Sequence, residues 1–118
     1  MARRLPPKFL TTTENQLTGY RILERMGVVR GITVRSRSVI GFMGAKLQQL
    51  VGGQISLLAE LCEETRAEAF ALAVEHAEAL GANALVAIRY DATEIMSGVS
   101  EVLCYGTAVR VVAERGEA

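Results

Sequence analysis

The chain has no tryptophan, one histidine, two cysteines and two prolines among its 118 residues. Aromatic residues make up only 5% of it, so a core must be built from Val, Leu, Ile and Ala. Cys62 and Cys104 make no disulfide framework, and each reads as a free, buried thiol. His76, being alone, leaves histidine-based acid–base chemistry with a single candidate. There is no Gly-x-Ser-x-Gly, no Walker A and no His-Glu-x-x-His. The expectation is therefore a protein that is not an enzyme. No window approaches the ~20 apolar residues of a membrane span. Met1 to Lys8 is basic, but no apolar run of signal-peptide length follows it. The sequence reads as a flexible tail over 1–8, one domain over 9–113, a short tail over 114–118, and a cytoplasmic protein with no membrane partner.

Net charge is zero but unevenly spread. Residues 1–50 hold nine Lys and Arg against Glu14 and Glu24, a balance of +7, and the remainder is −7. A basic half can signal an interaction module that presents Arg30, Arg35 and Arg37 to a protein or a nucleic acid. Here no aromatic residue interleaves the arginines along the sequence, as a stacking platform would need. The simpler reading is that basic and acidic halves face each other, within a chain or between copies.

What the chain does have is one long helical stretch. Leu58, Leu61, Cys62, Thr65, Ala69, Leu72, Ala73, His76 and Leu80 recur at steps of three and four, the helical period. A second line, Ala67, Phe70, Val74 and Ala77, widens this into an arc of roughly half the circumference. Glu60, Glu64, Glu68, Glu75 and Glu78 occupy the rest. Gly81 has no Cβ and suits the left-handed position that closes a helix. About twenty-five residues at ~1.5 Å each make a rod of about 37 Å. One small sheet does not cover so wide an arc, and a neighbouring subunit is the simplest cover for the remainder.

Around this helix the sequence predicts strands. Phe9 to Thr13 is short and threonine-rich. Tyr20 to Leu23 and Val28 to Val34 are extended, with bends or a bulge at Gly27 and Gly31. Val39 to Val51 is a shorter amphipathic helix, weakened by Gly41 and Gly44. Ala84 to Ile95 and Val99 to Ala113 are joined by Met96-Ser97-Gly98 as a hairpin. The expectation is an α+β domain: an antiparallel sheet packed against one long and one short helix, assembling into a ring-shaped homo-oligomer.

Candidate chemistry is sparse. The soft metal ligands are Cys62, His76 and Cys104. Cys62 and His76 lie ~21 Å apart along one helix and cannot share an ion within a subunit. His76, on an apolar arc, reads first as a packed core residue. Hard-metal ligands gather on the hairpin as Asp91, Thr93, Glu94 and Glu101, where alternation can bring some to one face. A divalent metal ion is the cofactor these residues would suit. Gly52, Gly53 and Ser56 open the long helix, where unpaired N–H groups and the helix dipole favour an anion. A plain interhelical turn with Ser56 as a cap is the simpler reading.

The motifs occur in a telling order. Thr11-Thr12-Thr13-Glu14 is followed by Gly27-Val28-Val29-Arg30-Gly31, then by Gly52-Gly53 and Arg66-Ala67-Glu68-Ala69-Phe70. Leu80-Gly81-Ala82-Asn83-Ala84-Leu85-Val86 and Tyr105-Gly106-Thr107-Ala108-Val109 complete the series. Over residues 9 to 113 the chain resembles the YbjQ-like family of small bacterial and archaeal proteins, which carry a heavy-metal-binding label. The resemblance implies a dodecin-subunit-like α+β fold assembled into a ring of five. It supplies no ligand set. The sequence also departs from the pattern after the glycine pair, where Ile55 and Leu58 replace the serine and tyrosine of many members.

Overall fold

The computed structural model describes residues 9–36 and 54–114, with side chains over 9–35 and 59–114. It contains β1 (Leu10–Thr11), β2 (Tyr20–Ser36), helix α1 (Gln54–Ala79), β3 (Ala84–Met96) and β4 (Val99–Ala113). The four strands form one sheet in the order β1-β3-β4-β2. The domain is α+β, as expected. The short helix predicted over 39–51 lies outside the described residues, as does the tail over 1–8.

The hairpin forms as predicted, with β3 and β4 antiparallel through Met96↔Val99. The sheet is not wholly antiparallel, however. β1 pairs parallel to β3, Leu10 with Ala84 and Thr11 with Leu85. The long excursion through β2 and α1 separates these strands and returns the chain in the same direction, which a tight hairpin cannot do. β2 also differs from expectation. It is one strand of 17 residues rather than two. The strand absorbs its irregularity in register shifts between Ile22/Glu24 and Arg25/Gly27, and Gly27 takes φ 108° there. Gly31 makes no bend.

Alternation along β2 sorts its side chains. Val29, Gly31 and Thr33 are buried toward α1, and Val28, Arg30, Ile32 and Val34 are exposed. Small residues at α1's contact face let the backbones approach closely. A Cβ built at Gly31 would lie 2.1 Å from the Ala69 carbonyl oxygen and 2.6 Å from the Ala73 nitrogen. Thr65, Ala69, Ala73 and Ala77, four residues apart, are all buried along that face.

Two cores result. On the helix side Ala69, Ala73, Val74 and Ala77 meet Val29, Leu85, Ile88, Cys104 and Ala108, with Phe9 at one end. On the other side Ala84, Val86, Val109 and Val111 are covered by Leu10, Leu17 and Ile22. Full burial of side chains such as Leu85, Val86 and Val109 stabilises the fold by ~1.5–3 kcal/mol each. β3 serves both cores by alternation, Leu85 and Ile88 on the helix side and Ala84 and Val86 on the other, and it contains a bulge. Val86 pairs with Thr107 and Arg89 with Tyr105, so β3 has one residue more than β4 across this step. Ala87 takes φ 56° there, and its N–H donates to the Glu14 carbonyl at 2.7 Å.

The helix stops where the sequence predicts. Gly81 takes φ 94°, its N–H donates to the Glu78 carbonyl, and the Ala82 N–H donates to the Ala77 carbonyl at 3.1 Å. This pair of bonds satisfies carbonyls that would otherwise end the helix unpartnered. Asn83 follows as a clamp. Its side-chain oxygen accepts from the Val111 N–H at 2.8 Å, and its amide donates to the Val111 carbonyl at 3.0 Å.

Candidate functional site

The expected donors are dispersed. Cys62 lies exposed on α1 and Cys104 is fully buried beneath it. The expectation of a buried thiol is thus met at Cys104 and corrected at Cys62, which the sheet does not reach. Asp91 and Glu94 do not share a face. Asp91 stands opposite Leu103 and Glu94 opposite Ser100, and an odd separation along a regular strand puts them on opposite sides. Both carboxylates bind locally, Asp91 to the Ala92 N–H at 3.0 Å and Glu94 to the Gly98 N–H at 3.1 Å. Gly52 and Gly53 lie outside the described residues. Ser56 lies within α1, but its side chain is likewise outside them.

Among the described residues, no three His, Cys, Asp or Glu stand close enough to hold one metal ion. A zinc site of the usual kind needs four ligands at about 2.0–2.3 Å, so the described part of one chain does not fit that requirement. No described helix is long and apolar enough to cross a membrane.

His76 is corrected as well. It is exposed rather than packed in the core, and its Nδ1 lies 2.6 Å from the Arg30 carbonyl oxygen. It sits in an open groove of about 540 Å³ where α1 meets the outer edge of β2, lined by Val28, Ile32, Leu72 and Leu80. Three of these apolar side chains are substantially exposed: Val28 67%, Ile32 42% and Leu80 50%. On α1 itself Cys62, His76 and Leu80 are exposed and Leu72 is half-buried, so its apolar arc is only partly covered by its own sheet among the described residues. The 46-residue separation of His76 from Arg30 left no local pattern by which the sequence could announce the pair.

Two further groupings emerge only in three dimensions. On the helix side, Tyr90 stands opposite Cys104 across the strands, and the Arg66 guanidinium lies 5.6 Å from the Tyr90 ring centre. Burial pushes the Cys104 thiol above its ordinary range, although the neighbouring Tyr90 hydroxyl works the other way. Burial, then Cys104, likewise raise Tyr90. On the opposite face, Arg30 and Arg89 both stand beside Tyr105 across the strands. An aromatic ring thus does interleave two arginines, through pairing rather than sequence order. The Arg89 guanidinium is anchored to the carbonyls of Thr13 and Ile88, each at 2.8 Å. The opposed charge halves meet in part within the chain, where Arg35 pairs with Glu68 at 2.9 Å. Arg37 lies outside the described residues.

A four-stranded sheet crossed by one long helix, with a partly uncovered helix flank, defines a small α+β domain. The chain belongs to the family described as "putative heavy-metal-binding", whose pattern matches residues 9–112. A UPF0145 protein of Solibacter usitatus is 57% identical over 108 residues, covering 92% of this chain and 96% of the relative. One from Chromobacterium violaceum is 54% identical over 107 residues, 91% of each. A solved structure of a DUF74-family protein of unknown function from Pediococcus pentosaceus superposes with a TM-score of 0.57 at 18% identity. It covers 88% of this chain and 98% of that one, and the likeness concerns the fold alone.

Proposed function

We propose that this protein is a non-enzymatic cytoplasmic homo-oligomer, a ring of five, that binds a divalent metal ion or small ligand where subunits meet. The observation that carries this reading is the apolar strip of Val28, Ile32, Leu72 and Leu80 beside α1. Water contact along such a strip is costly, and a second copy removes it. The family description supports the metal part of the reading. No three-donor cluster stands among the described residues of one chain, which is consistent with a site shared between subunits. Native mass spectrometry on protein purified without chelators or a metal-affinity column tests both parts. A multiple of the chain mass carrying a metal increment is expected. A bare monomer, with no ion retained in equilibrium dialysis against a metal panel, overturns the reading.

A second reading is favoured by the Arg30–Tyr105–Arg89 row. A cationic surface with a stacking ring suits a single-stranded nucleic acid, which makes the protein an interaction module. Binding to RNA or DNA that weakens steeply with salt supports this reading. No binding at low salt excludes it.

A further inference from the structure

We infer that α1 closes the outer edge of β2 against strand addition by a second copy of the chain, with His76 and the Arg35–Glu68 pair occupying backbone carbonyls that an added strand would need. β2 ends the described sheet, whose order is β1-β3-β4-β2, and it is 17 residues long. A long edge strand with exposed apolar side chains is a template for pairing with another chain. Val28, Ile32 and Val34 are all exposed, so β2 meets that description unless something blunts it.

The backbone shows what does. From Val28 to Ser36 the pairing with β4 is regular. Alternate residues there direct both backbone groups to β4, and the others direct theirs to the outer edge. The Arg30 carbonyl meets His76 at 2.6 Å in the groove at that edge, which puts Val28, Arg30, Ile32 and Val34 in the outward set. β3 fits the same phase. The Ala92 N–H donates to the Asp91 carboxylate, so Ala92 faces the far edge of the sheet while Arg89 and Asp91 face β4. Their partners Tyr105 and Leu103 then turn away from Arg30 and Ile32.

Two of the outward carbonyls are taken. A carbonyl accepts and cannot donate, so His76 donates from Nδ1 to Arg30. The Arg35 guanidinium donates to the Val34 carbonyl at 3.4 Å and is held by Glu68 of α1 at 2.9 Å. Nearer the start of β2, register shifts at Ile22/Glu24 and Arg25/Gly27 break the even row of donors and acceptors that pairing needs. The groove therefore admits a partner over its side chains but not as an added strand. This goes beyond the assembly reading, because it holds whatever the mass of the wild type.

The test compares wild type, His76→Ala and His76→Gln by sedimentation velocity across a concentration series, with infrared spectra read for intermolecular strand pairing. Glutamine keeps an N–H to donate to the Arg30 carbonyl, and alanine does not. His76→Ala is expected to shift to species larger than the wild type's, growing with concentration and carrying the intermolecular strand band. His76→Gln is expected to keep the wild-type profile. Equal behaviour of the two variants, whether both grow or neither does, overturns the inference. Growth of His76→Ala without the strand band overturns it too. Each variant is read against the wild type, so a monomeric wild type overturns the assembly reading and not this one. Nitrogen-15 spectra of the wild-type imidazole decide the matter even if the variants misfold: an Nδ1–H tautomer is expected, and a ring with no proton on Nδ1 overturns the inference.

Discussion

Gly31 has no room for a side chain. Its missing Cβ would stand 2.1 Å from the Ala69 carbonyl oxygen, a backbone atom that cannot turn aside. Gly31→Ala is expected to cost about 3 kcal/mol or more, at the upper end of overpacking effects, read as a lower urea midpoint. In the sequence this glycine looked like a bend, because a strand glycine signals either a kink or a close approach and only the partner decides between them. Cys104 makes the second residue-scale prediction. Its thiol is raised by burial, so the folded state holds the proton more tightly than the unfolded one. That contribution is complete below the ordinary thiol range and is lost as pH climbs through the folded value. Stability should decline on the alkaline side, more steeply once Tyr90, raised as well, begins to ionise. Cys104→Ala should flatten the thiol part of the decline in denaturation curves taken across pH. His76 shows what residue patterns miss. Its helical spacing was legible, but its exposure depended on how far the sheet extends beneath the helix.

Elements were legible where their signals are local. The long helix followed from periodicity, its end from Gly81, and the hairpin from a short turn between two apolar runs. The parallel β1–β3 pair was not legible, since Leu10 and Ala84 are joined by no turn whose length dictates direction. The Asn83 clamp is similar. An asparagine after a helix-closing glycine reads as loop chemistry, yet both ends of its amide bind Val111 and fix the start of β3 beside the end of β4. Asn83→Ala should leave a strand N–H and C=O short of a partner at a cost of about 1–3 kcal/mol. Hydrogen exchange at Val111 should quicken if the clamp acts as described. Unchanged protection there would show that water replaces the side chain without loss.

At the scale of the whole molecule, the sequence indicated that α1 carries more apolar surface than one sheet can cover. The structure locates the excess beside Leu72, Val28, Ile32 and Leu80. Leu72 is half-buried rather than central. Leu72→Asp is therefore expected to spare the fold and disrupt assembly, giving a smaller species by light scattering with an unchanged far-ultraviolet spectrum. A variant of wild-type mass would place the subunit contact elsewhere. The candidate site was legible only as a list of donors. Which donor is oriented, and that the described donors do not combine within one chain, depends on distances that no spacing encodes.

The bulge at Ala87 couples two positions that look independent. Without Ala87, Ile88 would stand opposite Gly106, and Leu85, Val86, Ile88, Arg89 and Tyr90 would alternate as a regular strand, each keeping its present side of the sheet. The strand can thus shorten by one residue here with both cores retained, while the Ala87 bond that tethers Glu14 is given up. Gly106 is tied to the same feature, because a Cβ there would meet the Val86 carbonyl oxygen at 2.9 Å and Leu85 at 3.3 Å. The two sites should be epistatic. Gly106→Ala is expected to be harmful in the native chain and milder once Ala87 is deleted, a sign of coupling that a four-member thermodynamic cycle would measure.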